Sequence, residues 1–248
     1  MVTLDMAAGS TAGPTGRRIW AQAAFDARNV LRNGENLLLT LIIPVAVLLI
    51  LLLTPISNRT PGQALVASGS LAVLATAFTS QAISTGFDRR YGVLRMLGLS
   101  PLGARGLIAA RVIVSLLIVA LQLAILVLLD VFVGGWRPPG PASVLQAVLV
   151  VALAVVAYTG WALLLAGVLR AEATLAVANA VFLVLMFGGG LAVPLDSLPW
   201  AGVAKWLPSG AMVDALSSPA PAWGPLLVLT GWAVIGAALA GRFFRWES

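Results

Sequence analysis

Few residues in this chain could do covalent or metal chemistry, and their spacing excludes most of it. Cysteine and histidine are absent, which removes thiolate nucleophiles, disulfides, Ser–His–Asp and Cys–His pairs, and any ordinary zinc site. The nine acidic residues are scattered, so the sequence writes no carboxylate cage for Mg²⁺ or Ca²⁺. Lys205 is the single lysine, and a phosphate-binding loop of the form GxxxxGK[ST] is therefore missing. Ser209 follows Lys205 at a spacing a Ser–Lys pair could use, but a lysine beside Trp200 and Trp206 fits an interfacial anchor better.

What remains is positive charge in one place. FDRRYGVLRMLGLSPLGARG, from Phe87 to Gly106, carries Arg89, Arg90, Arg95 and Arg105 in a chain only 10% charged. It lies between two long apolar segments, and an island this basic faces water, on the cytoplasmic side by the positive-inside rule. The chemistry it offers is recognition. Asp88 near a helix start and Arg95 toward its end both favour the helix dipole. Val93, Leu94 and Leu97 form an apolar face, with Arg90, Tyr91 and Arg95 on the polar one. Ser100-Pro101 ends the helix, because proline disfavours helical geometry in the residue before it. A short helix tipped with aromatic and arginine side chains suits docking into a groove on another protein; a charged loop that only sets topology is the plainer alternative.

The elements that position this island are apolar helices. The chain is 60% hydrophobic with a mean hydropathy of +1.01, whereas a soluble domain is nearer half apolar and a quarter charged. Runs near the length that crosses roughly 30 Å of hydrocarbon predict an all-α membrane protein with six spans. These are Leu37–Thr54 (with Pro44 inside), Ala64–Thr85, Arg111–Val133, Ala142–Leu169, Thr174–Val193 and Gly224–Gly241. The last carries a ladder of small residues, Ala233, Ala237 and Gly241, suited to close helix contact.

Residues 1–15 read as a disordered cytoplasmic tail, and 16–248 as one domain. Gly16 to Asn33 predicts an amphipathic helix in the headgroup plane. Ile19, Trp20, Ala23, Ala27, Val30 and Leu31 make its apolar side; Arg18, Gln22, Asp26, Asn29 and Arg32 face the other way. Thr76, Ser80 and Ser84, four apart beside Thr79 and Gln81, read as a helix-packing stripe. Between the fifth and sixth spans, Pro194, Pro199 and Pro208 with Trp200 and Trp206 predict short re-entrant helices at the external interface. Six spans put both termini on one side, together with twelve of the fifteen cationic residues, hence in the cytoplasm. The net charge of +6 then belongs to membrane edges rather than to nucleic-acid binding. Gln81, Gln122 and Asn179 are polar at mid-membrane and Asp130 lies near a rim. Ion coupling needs buried acids, so the work must come from elsewhere.

The segment Asp88-Arg89-Arg90, Gly92-Val93-Leu94, Leu97 and Ser100-Pro101 resembles, in order, the cytoplasmic segment that permease subunits of ABC-2-type exporters place between their second and third spans. Val93 stands where threonine is commoner in that family. The amphipathic first helix, RNGENLLLTLIIP and the proline-rich stretch before the last span are similar to that family as well. The resemblance implies a membrane subunit that is not itself an enzyme and binds no cofactor. ATP and Mg would sit in a separate ATPase subunit, and a second copy or a related permease would complete the path in a bacterial cytoplasmic membrane. It implies a coupling helix built from Asp88, Arg89, Arg90, Tyr91, Gly92, Leu94, Arg95, Leu97, Ser100 and Pro101. It also implies a path for a drug, lipid or other amphiphile past Thr79, Gln81 and Asn179, and an external gate at Gly188, Gly189, Gly190 and Pro194. A non-transporting membrane scaffold and an ion-coupled carrier are the competing readings.

Overall fold

The computed structural model describes residues 14–32, 34–54, 59–98, 102–218 and 222–243. The expected tail lies almost wholly outside these residues, as do Ser100 and Pro101. No strand occurs among the described residues, and the elements are all helical. Helix α1 covers Thr15–Arg32, α2 Gly34–Leu53, α3 Pro61–Leu74 and α4 Gln81–Arg90, the last two joined without a break by a π-helical turn, Ala75–Ser80. The short α5 (Val93–Gly98) leads to α6 (Gly103–Leu129), which ends in a second π turn, Asp130–Gly134. Helices α7 (Pro141–Val168) and α8 (Ala171–Gly188) follow. A 3-10 turn (Leu195–Ser197), α9 (Ala201–Ala204), α10 (Pro208–Ser217) and α11 (Trp223–Phe243) complete the chain.

Helix α7 is the axis of the bundle. Val155, Tyr158 and Ala162 on it are buried, packed in one core with Leu74 and Phe78, Met212 of α10 and Leu229 of α11. Small residues let α7 and α11 touch: a Cβ placed on Gly160 would come within 2.8 Å of the Gly236 backbone. Where hydrocarbon surrounds every helix, such close packing replaces hydrophobic collapse as the source of association. The predicted ladder is met only partly, since Ala233 is buried but no atom lies within 4 Å of where a Cβ on Gly241 would stand.

The expectation of six spans is corrected to five. Among the described residues, Pro61–Arg90, Arg105–Gly134, Pro141–Val168, Ala171–Gly188 and Trp223–Phe243 are long and apolar enough to cross a membrane. Of the expected first span, Leu37–Thr54, only the shorter apolar helix Thr40–Leu53 is found among the described residues. The Thr40 carbonyl accepts from Gln122 Nε2, midway along α6, at 3.3 Å, while Leu52 lies against Gly134 where α6 ends. From Thr40 onward, α2 thus runs beside the later half of α6. With five spans, an even number no longer returns both termini to one side.

Helix α1 forms as its periodicity predicts, but it packs differently. Ala23 and the partly buried Ile19, Ala27 and Val30 sit against Ala110, Val114 and Ile118 of α6. Trp20, Phe25 and Leu31 point outward. Asp26, expected on the polar side, is buried.

Candidate functional site

The end of the bundle where α4, α5, α6, α7 and α8 converge holds most of the predicted docking residues, and the structure divides them into a root and a tip. Three consecutive charges form the root, each tied to a different helix. Asp88 accepts a hydrogen bond from Arg111 Nη2 on α6 at 2.6 Å. Arg89 Nη1 donates to the Ala166 and Leu169 carbonyls at 3.1 and 3.2 Å, capping the C-terminus of α7, where a cation meets both unpaired carbonyls and the negative end of the helix dipole. Arg90 pairs with Glu172 in the first turn of α8.

The tip begins at Tyr91. Gly92 turns the chain with φ +76, a conformation that costs an L-residue with a Cβ but not glycine, and α5 then runs back against the bundle. Leu94 is fully buried with Leu102 and Leu107, and Leu97 packs beside them. Tyr91, stacked on Phe87 with 6.1 Å between centroids, is 72% exposed, and Met96 is 69% exposed. Arg95 also faces outward.

Two residues absent from the predicted set complete the root. Arg111, assigned from sequence only to setting topology, is 8% exposed. Besides Asp88 it faces Asp26 of α1, with Nε 3.5 Å from Oδ2. Asp26 Oδ1 accepts from Gln22 Nε2 at 2.9 Å. One guanidinium therefore serves two carboxylates from two other elements. Burial raises the Asp26 carboxyl above the ordinary carboxylate range; Arg111 and Gln22 oppose that rise, and Asp88 adds to it.

Between the unfolded value and the raised folded value, the folded chain holds a proton that the unfolded chain has released, so this group's contribution to stability falls as pH rises through that interval. Asp26→Asn is expected to remove that contribution. In thermal unfolding of the detergent-solubilised protein from pH 4 upward, the variant should gain stability relative to wild type as pH increases. A constant difference across the series would show that Asp26 is not strained by its burial.

The second part of the site is a cavity of about 340 Å³ between α2, the α3–α4 helix and α8. Thr40 and Pro44 of α2, Thr79, Ser80 and Ser84, and Asn179 with Phe182 of α8 are among its lining residues, none of which is charged. The π turn explains why the expected packing stripe splits. One extra residue per turn shifts the phase of the helix: Thr76 donates to Gln122 Oε1 on α6 at 3.0 Å, while Ser80 and Ser84 reach the cavity. Of the predicted path residues, Thr79 and Asn179 line the cavity; Gln81 is buried outside its lining.

The residues predicted as an external gate sit at the far end of α8. Gly188 closes the helix, Gly189 meets Ser209 so closely that a Cβ would fall 1.9 Å from its Oγ, and Gly190 turns at φ +85. Pro194 opens the 3-10 turn, its carbonyl accepting from Ser197 N at 3.0 Å. Arg59 Nη1 and Nη2 donate to the Leu191 and Ala192 carbonyls at 3.4 and 3.1 Å, and Lys205 pairs with Asp214 at 3.2 Å. The lysine is thus held by a carboxylate within its own short-helix segment.

Apolar helices around an uncharged cavity, with a charged segment projecting from one end, define a multi-pass membrane permease domain. The model of the ABC-2 type transporter family matches residues 17–219, spanning both the charged root and the cavity, and the chain belongs to that family. No curated protein matches the sequence significantly.

Proposed function

We propose that this chain is the membrane subunit of an ATP-driven exporter and that a separate ATPase subunit, carrying ATP and Mg, docks on the segment from Tyr91 to Met96. The observation that carries the reading is the division of that segment. Its root is fastened to α6, α7 and α8, while an aromatic and a thioether side chain are left exposed on a rigid turn. A loop that only enforced topology would need neither feature. Arg89, Arg90, Arg95, Arg105, Arg111 and Arg170 gather at this end of the bundle, which supports a cytoplasmic orientation for it in a bacterial plasma membrane.

The cavity is the substrate path in this reading. Hydroxyls and one amide among apolar walls suit an amphiphile with a weakly polar head, and a scaffold would have no use for them. A second copy or a related permease closes the path, and the Gly188–Gly190 turn with Pro194 forms its outer gate. ATP works by favouring one of two arrangements of the pair through contacts made at the docking segment.

The test is reconstitution. Vesicles carrying this chain and a candidate ATPase should export a fluorescent amphiphile only with hydrolysable nucleotide. Asn179→Leu should raise the half-saturating substrate concentration about threefold to tenfold, the worth of one hydrogen bond, without altering ATPase association. Transport that persists after ATP depletion and follows a pH gradient would overturn the proposal.

A further inference from the structure

The buried cation at the root joins more than the docking segment to the bundle. Arg111 Nη2 reaches Asp88 at 2.6 Å and its Nε faces Asp26 at 3.5 Å, so a single guanidinium links the end of α4 to α1. An apolar contact parallels the polar one: Ile19 of α1 packs against the cluster of Leu94, Leu102 and Leu107, which anchors α5. Helix α1 and the docking segment therefore share two attachments about two turns apart along α1. Helix α2, next in the chain, contributes Thr40, Ile43 and Pro44 to the cavity wall.

We propose that Arg111 is a positioning residue that locks α1 and the docking segment into one moving unit, giving the segment a route to the cavity through α1 and α2 beside the route through α4. The proposal rests on the reading of the segment as a docking site, but the lock itself is a property of this chain alone. Its physics is the asymmetry of buried ion pairs. Removing the shared cation leaves the buried Asp26 and the half-buried Asp88 without their common partner, so the polar tie between α1 and α4 is lost. Replacing the whole triad by neutral isosteres leaves no unpaired charge, so the fold survives while the lock is gone.

The absence of cysteine allows a direct measurement. Nitroxide labels on Trp20→Cys and Met96→Cys, both exposed positions, report the distance between α1 and α5 in the full chain in lipid nanodiscs, with no ATPase present. The otherwise unchanged chain should give one narrow distance. Arg111→Gln should roughly double the width of the distribution, because the cation that ties Asp26 to Asp88 is gone. Arg111→Lys, which keeps the charge, should stay close to wild type. If Arg111→Gln fails to fold, the neutral triple variant Asp26→Asn, Asp88→Asn, Arg111→Gln takes its place and should also broaden. Narrow distributions in whichever neutral variant folds would overturn the lock. Since no partner is needed, a lock that is present without any ATPase association would instead count against the docking reading alone.

Discussion

Combining Tyr91→Ala with Met96→Ala is expected to weaken association with the partner ATPase by about thirtyfold or more, while the membrane domain stays folded. The magnitude follows from two anchors that each contribute more than about 1 kcal/mol at a desolvated interface. Both side chains are largely exposed, so truncation removes little that the isolated chain uses. They are held in place by residues that are not exposed: Phe87 stacks on Tyr91, Gly92 sets the turn and Leu94 roots α5 in its own small core. Arg90→Ala makes the contrasting control. Its pair with Glu172 lies at the surface, where ion pairs contribute little, and its loss should leave association within about twofold of wild type. Co-purification and nucleotide-stimulated transport both read the effect. Wild-type association in the double variant, measured on protein with unchanged thermal stability, would end the docking account.

The sequence made the helical class and the charged segment legible because both rest on local signals. Long apolar runs have few alternatives in a membrane, and Asp88 through Leu97 stand out against a chain with so little charge. Asp26 and Arg111 were not legible for the opposite reason. On a helical wheel Asp26 groups with Arg18, Gln22 and Arg32, and only the approach of α6 turns that face inward. Arg111 sits in GLIAARVIVSLL, where a lone arginine reads as the edge of a span; helix α6 starts earlier, at Gly103, and so carries Arg111 inside. The available signal was an acid on a neighbouring helix that could pair with it, and pairing across 85 residues has no periodicity to betray it. The π turn at Ala75–Ser80 was hidden in the same way. Its residues would serve an ordinary helix equally well, yet it decides which hydroxyls pack and which reach the cavity. The sixth span was expected because Leu37–Thr54 is long enough by composition, whereas only the shorter apolar helix Thr40–Leu53 is found there among the described residues.

Gly210→Ala is expected to destabilise the folded chain by about 3 kcal/mol, near the upper end of ordinary overpacking, and to lower the unfolding midpoint by roughly 6–12 °C. At Gly210 a Cβ would stand 1.9 Å from the Ala204 carbonyl oxygen and 2.6 Å from its carbon. Neither atom can swing away as a side-chain end could. That carbonyl also accepts from Leu207 N at 3.0 Å, within the turn that delivers the chain into α10. Relief therefore requires moving α9, α10 or both, and α10 carries Met212, Ala211 and Ala215 into the main core. Next to it, Ser209 meets the Cα of Gly189 at the end of α8, so any shift of α10 is felt in the Gly188–Gly190 turn. Gly202→Ala in α9 is the internal control, since no atom lies within 4 Å of where its Cβ would go; there the substitution should leave stability unchanged or raise it slightly. Thermal unfolding in detergent distinguishes the two, and equal midpoints for Gly202→Ala and Gly210→Ala would mean that the close approach of α9 and α10 is not what holds this end of the bundle together.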